Sequence, residues 1–136
     1  MTQGRWPAVS AHPAIGCWAL SAPGIDTMLL RAPGIVRFTD SAQWRQGSTP
    51  KAFVLVPGPG VQHGSGPRFT VWAPTDSAGH IAFTWGNGYY GVGGHAVVTS
   101  DSLRGTMHWF SDVVTPTPPP TIALTGIRVP CGSVGL

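Results

Sequence analysis

Residues 80–85 read HIAFTW, with Ile81, Phe83 and Trp85 on one side of an alternating pattern and His80, Ala82 and Thr84 on the other. A period of two puts alternate side chains on opposite faces of an extended chain, so the segment predicts a β-strand with one buried face. Short runs rich in β-branched and aromatic residues recur at 35–39 (IVRFT), 51–56 (KAFVLV), 68–73 (RFTVWA), 94–100 (GHAVVTS), 106–114 (TMHWFSDVV) and 121–129 (TIALTGIRV). They are separated by Pro/Gly punctuation such as PGPGVQHGSGP at 57–67, which predicts turns between strands.

The tetrapeptide APGI occurs twice, at 22–25 and 32–35. Pro presets φ for the start of a turn and the following Gly tolerates positive φ, so each copy predicts a turn, with TMLLR at 27–31 as a short strand between them. No third copy follows, which excludes a repeat array. The segment DSAQWRQG at 40–47 is the one candidate helix, with Asp40 as N-cap and Gly47 as stop, two turns long at most.

Composition strengthens the β reading. The acids are five Asp and no Glu, the bases seven Arg and the single Lys51, while Gly numbers 19 and Pro 14. Residues that usually fill exposed helix positions are therefore scarce, and turn formers are abundant. With 42% hydrophobic residues over 136 positions, the chain is too apolar for disorder and long enough for one core. The expectation is an all-β fold: a single β-sandwich or jelly-roll-like domain of about eight short strands over residues 14–115. An extended N-terminal arm covers 1–13, and a Pro-rich segment with a C-terminal strand or arm covers 116–136. TPTPPP at 115–120 is stiff and extended. It therefore favours delivery of TIALTGIRV to a neighbouring subunit, where Ile122, Leu124, Ile127 and Val129 would fill apolar sites. The other outcome is an ordinary last strand in its own sheet.

Charge excludes several classes. The net charge is +3, but Arg5, Arg31, Arg37, Arg45, Arg68, Arg104 and Arg128 are scattered singly, so no basic patch predicts nucleic-acid binding. No apolar run reaches the length of a membrane helix. Pro7, His12 and Pro13 interrupt the segment where a signal peptide would need a continuous apolar core, so no export signal is expected. Cys17 and Cys131 lie near opposite ends of the chain; they are a possible disulfide, and without export two buried thiols are the favoured state.

Candidate chemistry is thin. Residues 86–91 (GNGYYG) fit GxGxxG formally, but VGGHAVVTS follows instead of the helix a dinucleotide site needs. WGNGYYGVGG at 85–94 reads instead as a hairpin with a glycine-rich strand, where backbone closely approaches another segment. His80, His95 and His108 fall on different predicted strands, yet no HxH or HxxxH pair and no Glu accompanies them, so no metal is expected. GxSxG is absent, and Ser65 in HGSGPR lacks a strand-turn-helix setting. The expectation is a non-enzyme without cofactor. The six Trp residues then carry the functional reading. Trp85 is in phase with Ile81 and Phe83 and belongs to the core, whereas Trp6, Trp72, Tyr89 and Tyr90 are interface candidates.

These readings converge on a structural protein of a large assembly. The specific expectation is a bacteriophage virion component, a head-decoration or tail protein, assembled in the host cytoplasm through contacts with its own copies or other structural subunits. The alternative is a secreted or cell-surface β-sandwich module that binds a carbohydrate or surface through exposed aromatic residues.

Overall fold

In the computed structural model, described over residues 12–24, 34–46, 49–58, 69–75, 79–86, 90–111 and 121–132, every regular element is a strand. They are β1 (Gly16–Ser21), β2 (Gly34–Gln46), β3 (Thr49–Pro57), β4 (Phe69–Pro74), β5 (His80–Gly86), β6 (Tyr90–Thr99), β7 (Ser102–Ser111) and β8 (Ile122–Val129). Each pairs antiparallel with the next, and β8 returns to pair with β1, closing the sheet into an eight-stranded up-and-down barrel. The all-β expectation of eight strands therefore holds, but the sandwich or jelly roll is replaced by one closed sheet. Closure removes the free edges that a sandwich keeps.

The alternation seen in HIAFTW runs through most of the barrel. Inward positions are Trp18 and Leu20 on β1, Val36 and Phe38 on β2, Phe53 and Leu55 on β3, and Trp72 on β4. The second half adds Ile81, Phe83 and Trp85 on β5, Val92, Ala96 and Val98 on β6, Leu103 and Met107 on β7, and Leu124 on β8. None of these is more than 5% exposed. Eight strands enclose a space just wide enough for side chains to fill, and here an aromatic series fills much of it. Phe38 meets Trp72 edge-on at 5.4 Å, Phe53 lies 5.7 Å from Trp72, and Phe83 stacks on Trp85 at 5.6 Å. Gly94 makes room within this layer, because a Cβ there would stand 2.6 Å from Cζ of Phe83.

Three local expectations change. The segment GCWALS, apolar and unassigned from the sequence, is β1. Of the segment DSAQWRQG, residues 40–46 are the far part of β2 rather than a helix, paired with β3 through register shifts between Phe38 and Arg45, and Gly47 lies outside the described residues. There the Thr39 hydroxyl donates to the Val54 carbonyl at 2.8 Å and accepts the Ser41 N–H at 3.3 Å. The polar cluster that looks like a helix start thus serves a bulged strand, where side-chain hydrogen bonds replace part of the ladder. Finally, β8 is paired on both sides within its own chain, Cys17↔Val129 through Ser21↔Thr125 on one flank and Ser102↔Ile127 through Met107↔Ile122 on the other. It is the closing stave of this barrel, not an arm offered to a neighbour. The first APG turn is present, with Gly24 at φ +100°; TMLLR lies outside the described residues.

Candidate functional site

At the end of the barrel where β1 begins, the chain before the strand packs onto the core and seals it, with Ala14 fully buried. Residues 12–15 turn across it: the Ile15 N–H donates to the His12 carbonyl at 3.1 Å, and the Ala14 N–H donates to Nδ1 of His12 at 3.0 Å. Trp18 inside the barrel donates its indole N–H to the Ala14 carbonyl at 2.9 Å. Arg128, near the end of β8, reaches over the same place. Its guanidinium donates to the carbonyls of Ile15 (3.0 Å), Ser100 (3.1 Å) and Pro13, and to Oδ1 of Asp101 (3.0 Å). It also stands 4.4 Å from the centroid of the Trp18 ring. His12 lies 5.6 Å from Trp72, and its burial lowers the imidazole pKa from the usual 6.5. Cys17 and Cys131 are bridged, with sulfurs 2.03 Å apart. The bridge ties the start of β1 to the residues just past β8, so the favoured pair of free thiols is corrected: strand pairing sets Cys17 opposite Val129, two residues from Cys131.

At the opposite end, strands are joined through 25–33, 59–68, 87–89 and 112–120, all outside the described residues. Trp109 and Ile122 are partly buried against the core, and Ile122 lies against the Pro23-Gly24 turn, 3.5 Å from where a Cβ on Gly24 would stand.

The outer face of β5, β6 and β7 carries three histidines and Arg104. His80, His95 and His108 lie exposed on three adjacent strands, and in the register each is set two residues along from the last. Among the described residues no group of three His, Cys, Asp or Glu side chains is placed to hold a metal ion. A shallow groove of about 160 Å³ opens here, lined by Thr75, His80, Ile81, His95, Ala96, Val97, Arg104 and Gly105.

Several interface candidates move inward. Trp72 is 1% exposed and donates its indole N–H to the Thr39 carbonyl at 2.8 Å, so it is core: in sequence it lies out of phase with Phe69 and Val71, and the phase that it occupies faces the interior. Leu124 is likewise core and Ile122 packs against it, while Val129 is half-buried and only Ile127 stands well out, 62% exposed. Tyr90 begins β6 opposite Ser111; its side chain, Trp6 and Tyr89 lie outside the description. The GNGYYG stretch joins β5 to β6, and Gly91 approaches Trp85 so closely that a Cβ would fall 2.2 Å from its carbonyl oxygen. That matches a glycine-rich hairpin. Sequence reasoning missed Arg128 and the grouping of Arg104 with His80 and His95, because single basic residues on separate strands show no clustering until the register is known. The chain matches no family model, no curated protein and no solved structure.

Proposed function

We propose that the chain is a non-enzymatic interaction domain that acts as a structural subunit of a larger assembly. The observation that carries this reading is the filled interior: among the described residues the inward side chains of all eight strands, three tryptophans among them, are buried against one another in a single core. Function then falls to the outer face and the connections, for which a disulfide-stapled barrel is a stiff support. Only 10% of the residues are charged, and covering surface in an assembly relieves the tendency of so weakly charged a protein to aggregate. In its specific form the reading is a bacteriophage virion component, a head-decoration or tail protein assembled in the host cytoplasm, in contact with its own copies or with other structural subunits. Strand exchange by β8 has no part in it, since both flanks of β8 are used.

The disulfide favours a second reading, because such bridges persist in oxidising compartments. On that reading the chain is a secreted or cell-surface domain that binds a glycan. Neither reading assigns a cofactor. Native mass of the full chain, measured over a wide concentration range, tests the first: a large, defined oligomer supports it. A strict monomer at every concentration overturns it, and binding on a glycan array then decides the second.

A further inference from the structure

The groove on the outer face joins residues from separate strands into one basic recess. Register sets His80 opposite Val97 and Val97 opposite Arg104, so an imidazole and a guanidinium flank a valine in a single cross-strand row. At a strand spacing of about 4.8 Å their backbones stand roughly 10 Å apart. His95 lies two residues along β6 on the same face, diagonal to both, between Ala82 and Thr106. Thr75 borders the recess, and Ile81, Ala96, Val97 and Gly105 complete its lining.

Every ionisable group lining this groove is a base. On the neighbouring strands the same outer face offers Ala73 from β4 and Ala123 and Thr125 from β8, with His108 further along β7. Among the described residues Asp101 is engaged by Arg128, and Asp40 lies on β2, across the barrel. Asp76 belongs to the 76–78 connection, outside the described residues.

A volume of about 160 Å³ is well below the roughly 300 Å³ at which pockets begin to enclose whole organic ligands, so the groove suits a charged group rather than a complete molecule. A guanidinium fork matches an oxyanion in two hydrogen bonds and keeps its charge at all working pH. A neutral imidazole donates through one ring nitrogen, and protonation, which for histidine in general falls between about pH 8 and pH 5, adds a second donor and a positive charge. We propose that this groove is a site for a tetrahedral oxyanion, sulfate or phosphate, with Arg104 as the permanent charge and His80 and His95 as imidazole donors that gain a positive charge on protonation. Binding there tightens on acidification. The site stands apart from the assembly and glycan readings and does not depend on either.

The test uses the full chain and inorganic sulfate, which stays dianionic across the range, titrated at about pH 5.5 and about pH 8 at constant ionic strength with chloride as the background anion. Nuclear magnetic resonance follows the His80 and His95 imidazoles and the Arg104 side chain. The expected result is saturable shifts centred on these three residues, with affinity at least about fivefold tighter at the lower pH. R104Q weakens binding about tenfold at both pH values, whereas the double variant H80Q/H95Q removes the pH dependence and keeps the affinity seen at the higher pH. R37Q, an exposed substitution on β2, leaves both affinities unchanged. Inorganic phosphate, which loses its second charge on acidification, gains less than sulfate between the two conditions. The proposal is overturned by shifts that do not saturate or centre elsewhere, by wild-type affinity in R104Q, or by a pH dependence that survives in H80Q/H95Q.

Discussion

The guanidinium of Arg128 stands 4.4 Å from the centre of the Trp18 ring, joining the last strand to the first at the sealed end of the barrel. Both residues also hold the chain that crosses that end, Trp18 through the Ala14 carbonyl and Arg128 through those of Pro13 and Ile15. A fork of donors is needed because the carbonyls of Ile15 and Ser100 approach from different elements. The ion pair with Asp101 contributes little by comparison, since that carboxylate is 78% exposed.

Arg128→Ala is therefore expected to destabilise the fold by about 2–3 kcal/mol, from lost charge-assisted hydrogen bonds and ring contact. Asp101→Asn should cost under about 1 kcal/mol. Arg128→Lys keeps the charge but not the fork and should fall close to the alanine variant. Urea denaturation of the three proteins checks the order; an Asp101 effect as large as that of Arg128→Ala would reverse the argument.

The bridge between Cys17 and Cys131 spans 114 positions, nearly the whole chain. Its largest effect is on the unfolded state, whose freedom a loop of this length restricts by about 4–5 kcal/mol in the chain-entropy model. The Cys17→Ala/Cys131→Ala variant should lose stability of that order while retaining the barrel's circular dichroism where it stays folded. Thermal melts with and without reductant supply the measurement: a reductant-sensitive midpoint is expected for the wild type and an insensitive one for the variant.

Acid should weaken the sealed end through His12. Burial holds its folded pKa below the usual 6.5, and its Nδ1 lone pair is already taken by the Ala14 N–H. In the window between the lowered folded value and 6.5, the unfolded chain binds the proton and the folded chain does not. The stability is thus full above 6.5 and lost as pH falls from there through the folded value. His12→Asn keeps an acceptor for the Ala14 N–H and should remove this part of the pH slope. Denaturation midpoints at a series of pH values for the two proteins give the comparison, and equal slopes would exclude His12 as the source.

How much of this was legible in the sequence follows from which interactions are local. HIAFTW shows its face directly, and Ile81, Phe83 and Trp85 are buried as the alternation requires. Trp72 misleads because the alternation around it does not say which face becomes the interior. The choice of barrel over sandwich rests on the pairing of β1 with β8, about a hundred residues apart in sequence, which no window of local pattern contains. The same pairing explains why the cysteines and Arg128 looked isolated: only the register Cys17↔Val129 and Trp18↔Arg128 makes them neighbours. The basic groove is hidden for the same reason, since His80, His95 and Arg104 meet only through two successive strand registers.

Removal of residues 116–136 tests closure most directly. By composition TPTPPP, which lies outside the described residues, favours an arm, and for a true arm the truncated chain would remain a folded monomer. The pairing of β8 argues the reverse. Its loss opens the ladders to β1 and β7 together, exposes backbone groups along both, and withdraws Leu124 from the core. It also removes Cys131 and Arg128, so the bridge and the seal over Trp18 go with it. Small domains have only about 5–15 kcal/mol of net stability, and these losses together exceed what such a margin tolerates. The truncated chain is expected to lack cooperative thermal unfolding and the near-ultraviolet circular dichroism of a packed tryptophan core. A cooperatively melting truncation would show that seven strands hold without the eighth, and that closure by β8 is dispensable.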